Sequence, residues 1–399
     1  MTSQHFLTTE RKKTRLYLIC TLTLTVMSLD ITMVMLMCVH QAVVYNEELT
    51  AFTSRVTTNK LPYAVIRSKR YDNSSWDIDK SHVGPVVNPY QFKYVLEPRN
   101  VCDEGHLLVV YVHSDVRNFD RRAVIRKTWG NTSIYTDIQM KLFFFVAMSQ
   151  RGEDDDVLRA EARENDDIIQ LGFIEHYHNM TYKAIGALKW LVTRCKTVTY
   201  LLKTDDDTFV NTFALFKHIE ALSEDHLYVS GLLVCCRGHL KLVYRYGKWA
   251  VNRTEYPDDY YPHYCSGIAY ILTADVARAI YRTSAHVPYF WIDDVYVTGM
   301  IPEAIRLRQI DMRGAYIRDV GKIDELFAGN EWYKFAFCHV PDLHHFERLW
   351  NIVRSKALLE RIPDIEVVVP GRLANNYTYR YRADLPYYYV PPLTEMINY

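Results

Sequence analysis

Three consecutive carboxylates follow an apolar run in YLLKTDDDTFVN, residues 200–211. In open α/β sheets, ligands collect beyond the carboxyl ends of the strands. On an extended chain Asp205 and Asp207 would face the same way, because side chains alternate with period two. Two carboxylates on one side of a strand end make a hard-oxygen site for Mg²⁺ or Mn²⁺. Such an ion neutralises a departing diphosphate. The competing reading is a charged turn capping a helix, with Asp207 as N-cap. The apolar strand before the aspartates and Phe209–Val210 after them bring the carboxylates to a buried rim. Burying three like charges without a cation is costly, which favours the metal reading.

A second acidic pair, Asp293–Asp294, lies in WIDDVYVTGM, residues 291–300. Adjacent side chains diverge on an extended chain, so one could face a site while the other binds neighbours. Both could instead cap a helix beginning near Val295. Arg122 and Arg126, four apart on a predicted helix, share a face. They could bind uracil, ribose or phosphate, or pair with acids around Asp166 and Asp167. Trp249 and the Tyr260–Tyr261 pair could stack on a sugar or pack in the core. Trp129 reads as core, His344 and His345 as surface, and EDDD at 153–156 as a solvated loop. Cys265 reads as half of a disulfide, since no base stands near it in sequence.

The elements that must hold these residues alternate. Residues 106–113, 141–147 and 198–203 are apolar runs of strand length, suited to strands buried on both faces of a parallel sheet. Residues 121–130 and 179–195 carry spaced apolar residues among good helix formers. The expectation is an α/β fold with a mainly parallel central sheet. Lys plus Arg equals Asp plus Glu, 47 each, so no net field argues for nucleic acid.

Residues 16–39 are mostly apolar and would reach about 36 Å as a helix, enough to span a bilayer despite Asp30. Arg11, Lys12, Lys13 and Arg15 precede the segment, and Glu47 and Glu48 follow it. The positive flank stays cytoplasmic. The reading is a cytoplasmic tail at 1–15, a transmembrane signal anchor at 16–39, a stem at 40–100 and a lumenal remainder. Asn73, Asn131, Asn179, Asn252 and Asn376 each open an N-x-S/T acceptor pattern, as a lumenal chain would use. Cys102, Cys195, Cys235, Cys236, Cys265 and Cys338 lie beyond the anchor and permit three bridges.

Several blocks, in order from about residue 102 to 350, resemble the β-1,3-galactosyltransferases, glycosyltransferase family 31. RRAVIRKTWG at 121–130 resembles the family's R-x-x-I-R-x-T-W element. Residues 161–195, the KTDDDTFVN run, KWAVNRTEYPDDYYPHYCSGIAY at 248–270 and WIDDVYVTGM each resemble a further family block. The resemblance implies a GT-A-type nucleotide-binding fold at 101–355, with 356–399 as a C-terminal extension. It implies an inverting transfer of a hexose, galactose first, from a UDP-sugar to a hydroxyl of a glycan acceptor on protein or lipid. Mn²⁺ dependence and a Golgi membrane location are implied with it. N-acetylglucosamine or N-acetylgalactosamine are the alternative sugars, and an inactive glycan-binding or chaperone-like relative is the alternative of another class. Carried over by residue, Asp205 and Asp207 bind the metal with His339 completing its shell. Lys203, Asp205, Asp206, Arg122, Arg126 and Trp249 bind the donor. Asp294 is the base, and Asp293 supports it. Two departures stand out. The D-D-V-Y-V-T-G run is one residue longer than the family's E-D-V-Y-x-G, which bears on Gly299, and Ile268–Ala269 replace the family's pair before Tyr270.

Overall fold

The computed structural model describes residues 84–102, 106–134, 139–224, 231–237 and 242–359. The predicted tail and anchor, most of the stem and C-terminal extension, and the sequons at Asn73 and Asn376 lie outside them. Among the described residues no helix is long and apolar enough to cross a membrane.

The apolar runs become strands: β1 (Tyr94–Leu96), β2 (Leu108–His113), β3 (Met140–Met148), β4 (Ile168–Ile174) and β5 (Tyr200–Asp205). Helices α1 (Phe119–Lys127), α2 (Gly152–Asn165) and α3 (Met180–Arg194) cross between β2, β3, β4 and β5. Those four strands run parallel in the order β4-β3-β2-β5. Beyond β5, the sheet continues through β8 (Cys265–Thr273), β7 (Leu233–Arg237) and β9 (Gln309–Asp311), with β8 antiparallel to both neighbours. Strand β1 is antiparallel on the other edge. The fold is thus α/β with a mixed, mainly parallel eight-stranded sheet. A second sheet joins β10 (Tyr316–Ile317), β11 (Phe337–His339) and β6 (Thr208–Val210).

Helix α3 shows why the pattern folds this way. Its buried face, Ala184, Ile185, Leu188 and Leu191, packs with Val109, Phe143 and Ile169 of the sheet. Trp190 meets Phe143 and Phe145 edge-on, at centroid distances of 5.1 and 5.8 Å. A Cβ at Gly186 would stand 2.4 Å from Leu171 Cδ2 and 2.9 Å from Phe92 Cδ1, so a larger residue here would force these side chains to shift. The other long helices are α4 (Thr212–Glu224), α5 (Ala274–Ser284) and α6 (Leu343–Leu359). Trp129 is buried, as expected.

One expectation is corrected. Residues 153–156 are not a loop but the first turns of α2, where acids complement the helix dipole. Asp155 there is buried and accepts from Gln170 Nε2 at 2.7 Å. The end of the supposed stem packs into the domain: Tyr94 Oη donates to Gly186 O and Asn88 Nδ2 to Ser284 O, both at 2.9 Å. The boundary at 355 falls inside α6. Of the bridges the six cysteines permit, two form among the described residues, Cys102–Cys195 and Cys235–Cys265, while Cys236 and Cys338 are buried free thiols.

Candidate active site

The three aspartates diverge because the chain turns on them. Strand β5 ends at Asp205, Asp206 and Asp207 form a turn, and Thr208 opens β6 in the other sheet. The extended geometry expected for Asp205 and Asp207 is therefore replaced by a turn, and Asp207 caps no helix.

Each carboxylate has its own partner. Lys203 Nζ donates to Asp205 Oδ1 at 2.8 Å and to the carbonyl of Gly267 at 2.7 Å. Asp206 points inward, accepting from Ser114 Oγ at 2.7 Å and Asn118 Nδ2 at 2.8 Å. Asp207 Oδ2 lies 3.2 Å from His339 Nε2. The antiparallel register of β6 and β11, Thr208 opposite His339, sets that approach. The Asp205 carboxyl is pushed up to about 7, first by burial and then by Asp293 and Asp207, against the pull of Lys203. Burial opposes ionisation of Asp207 too, but the His339 bond outweighs it and holds that carboxyl low.

The second acidic pair heads a helical segment: Asp293–Val295 runs into a π-turn, Tyr296–Met300, and a last turn, Ile301–Ala304. The pair thus sits on helix, not on extended chain. Asp294 Oδ1 accepts the Val295 N–H at 2.8 Å. A Cβ at Gly267 would stand 3.4 Å from Asp294 Oδ2, so β8 passes directly beside this carboxylate. Gly267 therefore links the two acid groups: its carbonyl accepts from the lysine that holds Asp205, and a side chain at this position would meet Asp294.

Arg122 and Arg126 do not reach this site, contrary to the donor-binding expectation. Arg122, fully buried, makes a two-bond contact with Glu161 at 2.9 and 2.7 Å. Arg126 does the same with Asp167, at 2.7 and 2.8 Å. Their pairing with acids is the other reading of the same spacing. Arg122 still matters to the site indirectly. Its Nη1 donates to Ser114 Oγ and to Asp115 O, which shapes the loop holding Asp206.

Trp249 is half exposed and donates through Nε1 to Tyr177 Oη at 2.7 Å. Lys248 Nζ lies 4.8 Å from the Tyr177 ring centre and 5.4 Å from that of Trp249. Burial, with lesser contributions from Asp293, Asp294 and Asp205, raises the Tyr177 phenol against the pull of the Trp249 hydrogen bond. Tyr261 is core, whereas Tyr260 is exposed. Of the described sequons, Asn252 is exposed, with Oδ1 accepting from Thr254; Asn131 and Asn179 are half-buried.

Sequence reasoning missed Ser114, Asn118, Arg121 and His113. Ser114 and Asn118 follow the end of β2, where the strand-end rule points. Arg121 Nε lies 4.0 Å from Asp206 Oδ1. His113, opposite Asp205 in the β2–β5 register, is buried with neither ring nitrogen hydrogen-bonded. Burial, with Lys203 and Lys183 nearby, keeps that imidazole neutral. Among the described residues, no three His, Cys, Asp or Glu side chains converge closely enough to hold an ion.

The comparisons define the class as a glycosyltransferase. Residues 120–313 match the family model described as Galactosyltransferase. Beta-1,3-galactosyltransferase 1 of Mus musculus and of Homo sapiens are each 33% identical over 273 residues, 68% of this chain and 81% of theirs. Beta-1,3-galactosyltransferase 2 of Homo sapiens is 32% identical over 274 residues, 66% of this chain and 63% of its own. The chain belongs to the galactosyltransferase family and is a hexosyltransferase.

Proposed function

We propose that the chain is an inverting β-1,3-galactosyltransferase that moves galactose from UDP-galactose to a glycan hydroxyl on protein or lipid, with Mn²⁺, in the Golgi lumen. The observation that supports the reading is Lys203, which binds both Asp205 at the end of β5 and the carbonyl of Gly267, the residue that borders Asp294.

An inverting transfer needs one base and no covalent carboxylate. Asp294 takes the proton of the acceptor hydroxyl as that oxygen attacks C1 of the donor hexose. UDP leaves from the opposite face. Asp207 and His339, a hard oxygen and an imidazole 3.2 Å apart, would offer two ligands to a divalent cation, with Asp205 two residues away in the chain. When bound there, the cation offsets the charge that grows on the leaving diphosphate. Lys203 fixes Asp205 against β8 and keeps the two acid groups in register. Trp249 and Tyr177 offer faces to a sugar ring.

The test is UDP release and product formation by the purified full chain with UDP-galactose, UDP-N-acetylglucosamine and UDP-N-acetylgalactosamine, with Mn²⁺ or with EDTA. Transfer from UDP-galactose that needs Mn²⁺ is expected. Transfer from another donor alone replaces the sugar, and full activity in EDTA removes the metal.

A further inference from the structure

We propose that Thr298 is a positioning residue for Asp294, its hydroxyl tying the base's backbone to the strand that borders the carboxylate. This rests on the reading of Asp294 as the base. The D-D-V-Y-V-T-G run passes into the π-turn Tyr296–Met300, a widened turn inside an otherwise α-helical segment. Such single turns are frequent at functional sites. Here the widening has three local consequences. Gly299 is driven against the stretch before β8, where a Cβ would stand 3.0 Å from Tyr264 Cβ and 3.2 Å from Pro262 Cγ. Tyr296 Oη lies 2.9 Å from Ser284 O and 2.8 Å from Val287 O, where its single proton can bond either carbonyl, anchoring the segment's outer side. Thr298, fully buried, is left bridging two elements.

The bridge is specific. Thr298 Oγ1 donates to the carbonyl of Asp294 and accepts the backbone N–H of Cys265 at 2.9 Å. The Thr298 carbonyl accepts from Gln309 Nε2 at 2.7 Å, and the same amide donates to His263 O at 2.6 Å. Cys265 opens β8 and is bonded to Cys235. Gly267, two residues along the same strand, borders the Asp294 carboxylate. One hydroxyl thus fixes the backbone of Asp294 relative to the strand that packs beside its side chain. A valine at 298 would keep the shape and lose both bonds. Serine would keep both bonds and lose only a methyl group.

The experiment compares wild type, Thr298→Val, Thr298→Ser and Asp294→Asn. It reads kcat, donor KM, UDP affinity by calorimetry, and folding by circular dichroism and melting. A misplaced reacting group costs up to about 100-fold in rate. The expected result is a fall in kcat of about 10- to 100-fold in Thr298→Val, with donor KM and UDP affinity within about two-fold of wild type. Thr298→Ser should restore kcat to within about three-fold. If Thr298→Val does not fold, Thr298→Ala takes its place in the same comparison. Normal kcat in Thr298→Val, or kcat lost equally in Thr298→Ser, overturns the proposal. So does a fall in UDP affinity as large as that in kcat. Activity retained by Asp294→Asn overturns instead the base assignment beneath it, and is distinguishable because it does not involve Thr298.

Discussion

His339 Nε2 lies 3.2 Å from Oδ2 of Asp207, across 132 residues of chain. The pairing of β6 with β11 makes the contact, and the backbone repeats it: Val340 N donates to Asp207 O at 2.7 Å. The last strand of the small sheet thus delivers an imidazole to the turn that ends the central strand.

If this pair binds the metal, Asp207→Ala and His339→Ala should both lose Mn²⁺-dependent UDP binding while keeping the melting temperature near wild type. Asp207→Ala, which removes a charged ligand, should be the more damaging of the two. Calorimetry with UDP and Mn²⁺ measures this. Undiminished UDP binding in both variants would remove the site from the mechanism.

Asp294→Asn should leave donor affinity nearly unchanged and lower turnover by roughly 10²–10⁴-fold, the usual contribution of a general base. Asp293→Asn should cost much less. Kinetics at saturating donor decide between the two carboxylates. A dead Asp293→Asn beside a near-normal Asp294→Asn would reverse the roles.

The Arg122–Glu161–Arg126 cluster should contribute to stability rather than to chemistry directly. Burial disfavours the charge on Glu161, but hydrogen bonds and charge from Arg122 and Arg126 outweigh it and hold its carboxyl below the usual glutamate value of 4.5. Its stabilisation is therefore full above that value and is lost as pH falls from there through the lowered one. Glu161→Gln should cost about 3 kcal/mol near neutral pH, because it leaves buried arginine charge uncompensated. Denaturant melts across pH should show the gap from wild type closing toward acid. A gap that widens there would contradict the assignment.

In sealed microsomes the C-terminal part should resist protease, and glycosidase should shift the mobility of the full chain. Among the described sequons the exposed Asn252 should carry a glycan. Digestion of a C-terminal tag without detergent would refute the topology, and an unchanged shift in Asn252→Gln would refute the site.

The alternation of strands and helices was legible because parallel strands covered on both faces must be unbroken apolar runs, as Leu108–Val112 and Leu142–Ala147 are. The aspartates after β5 were legible for a related reason: charge at the end of a buried strand needs a partner. What Asp206 does was not legible, because Ser114 and Asn118 reach it only once β2 and β5 lie side by side. Arg122 and Arg126 show the limit of local spacing. Four residues apart puts both on one helix face, but only packing against α2 and the start of β4 brought Glu161 and Asp167 to them. The six cysteines permitted many pairings, and the neighbouring strands β7 and β8 chose Cys235–Cys265 over Cys236. By itself the sequence determined the layered α/β class, the carboxylate groups and the ordered blocks of a galactosyltransferase. Only the tertiary structure decided which groups meet, since hydrogen bonds and ion pairs act over about 3 Å and their partners come from distant segments of the chain.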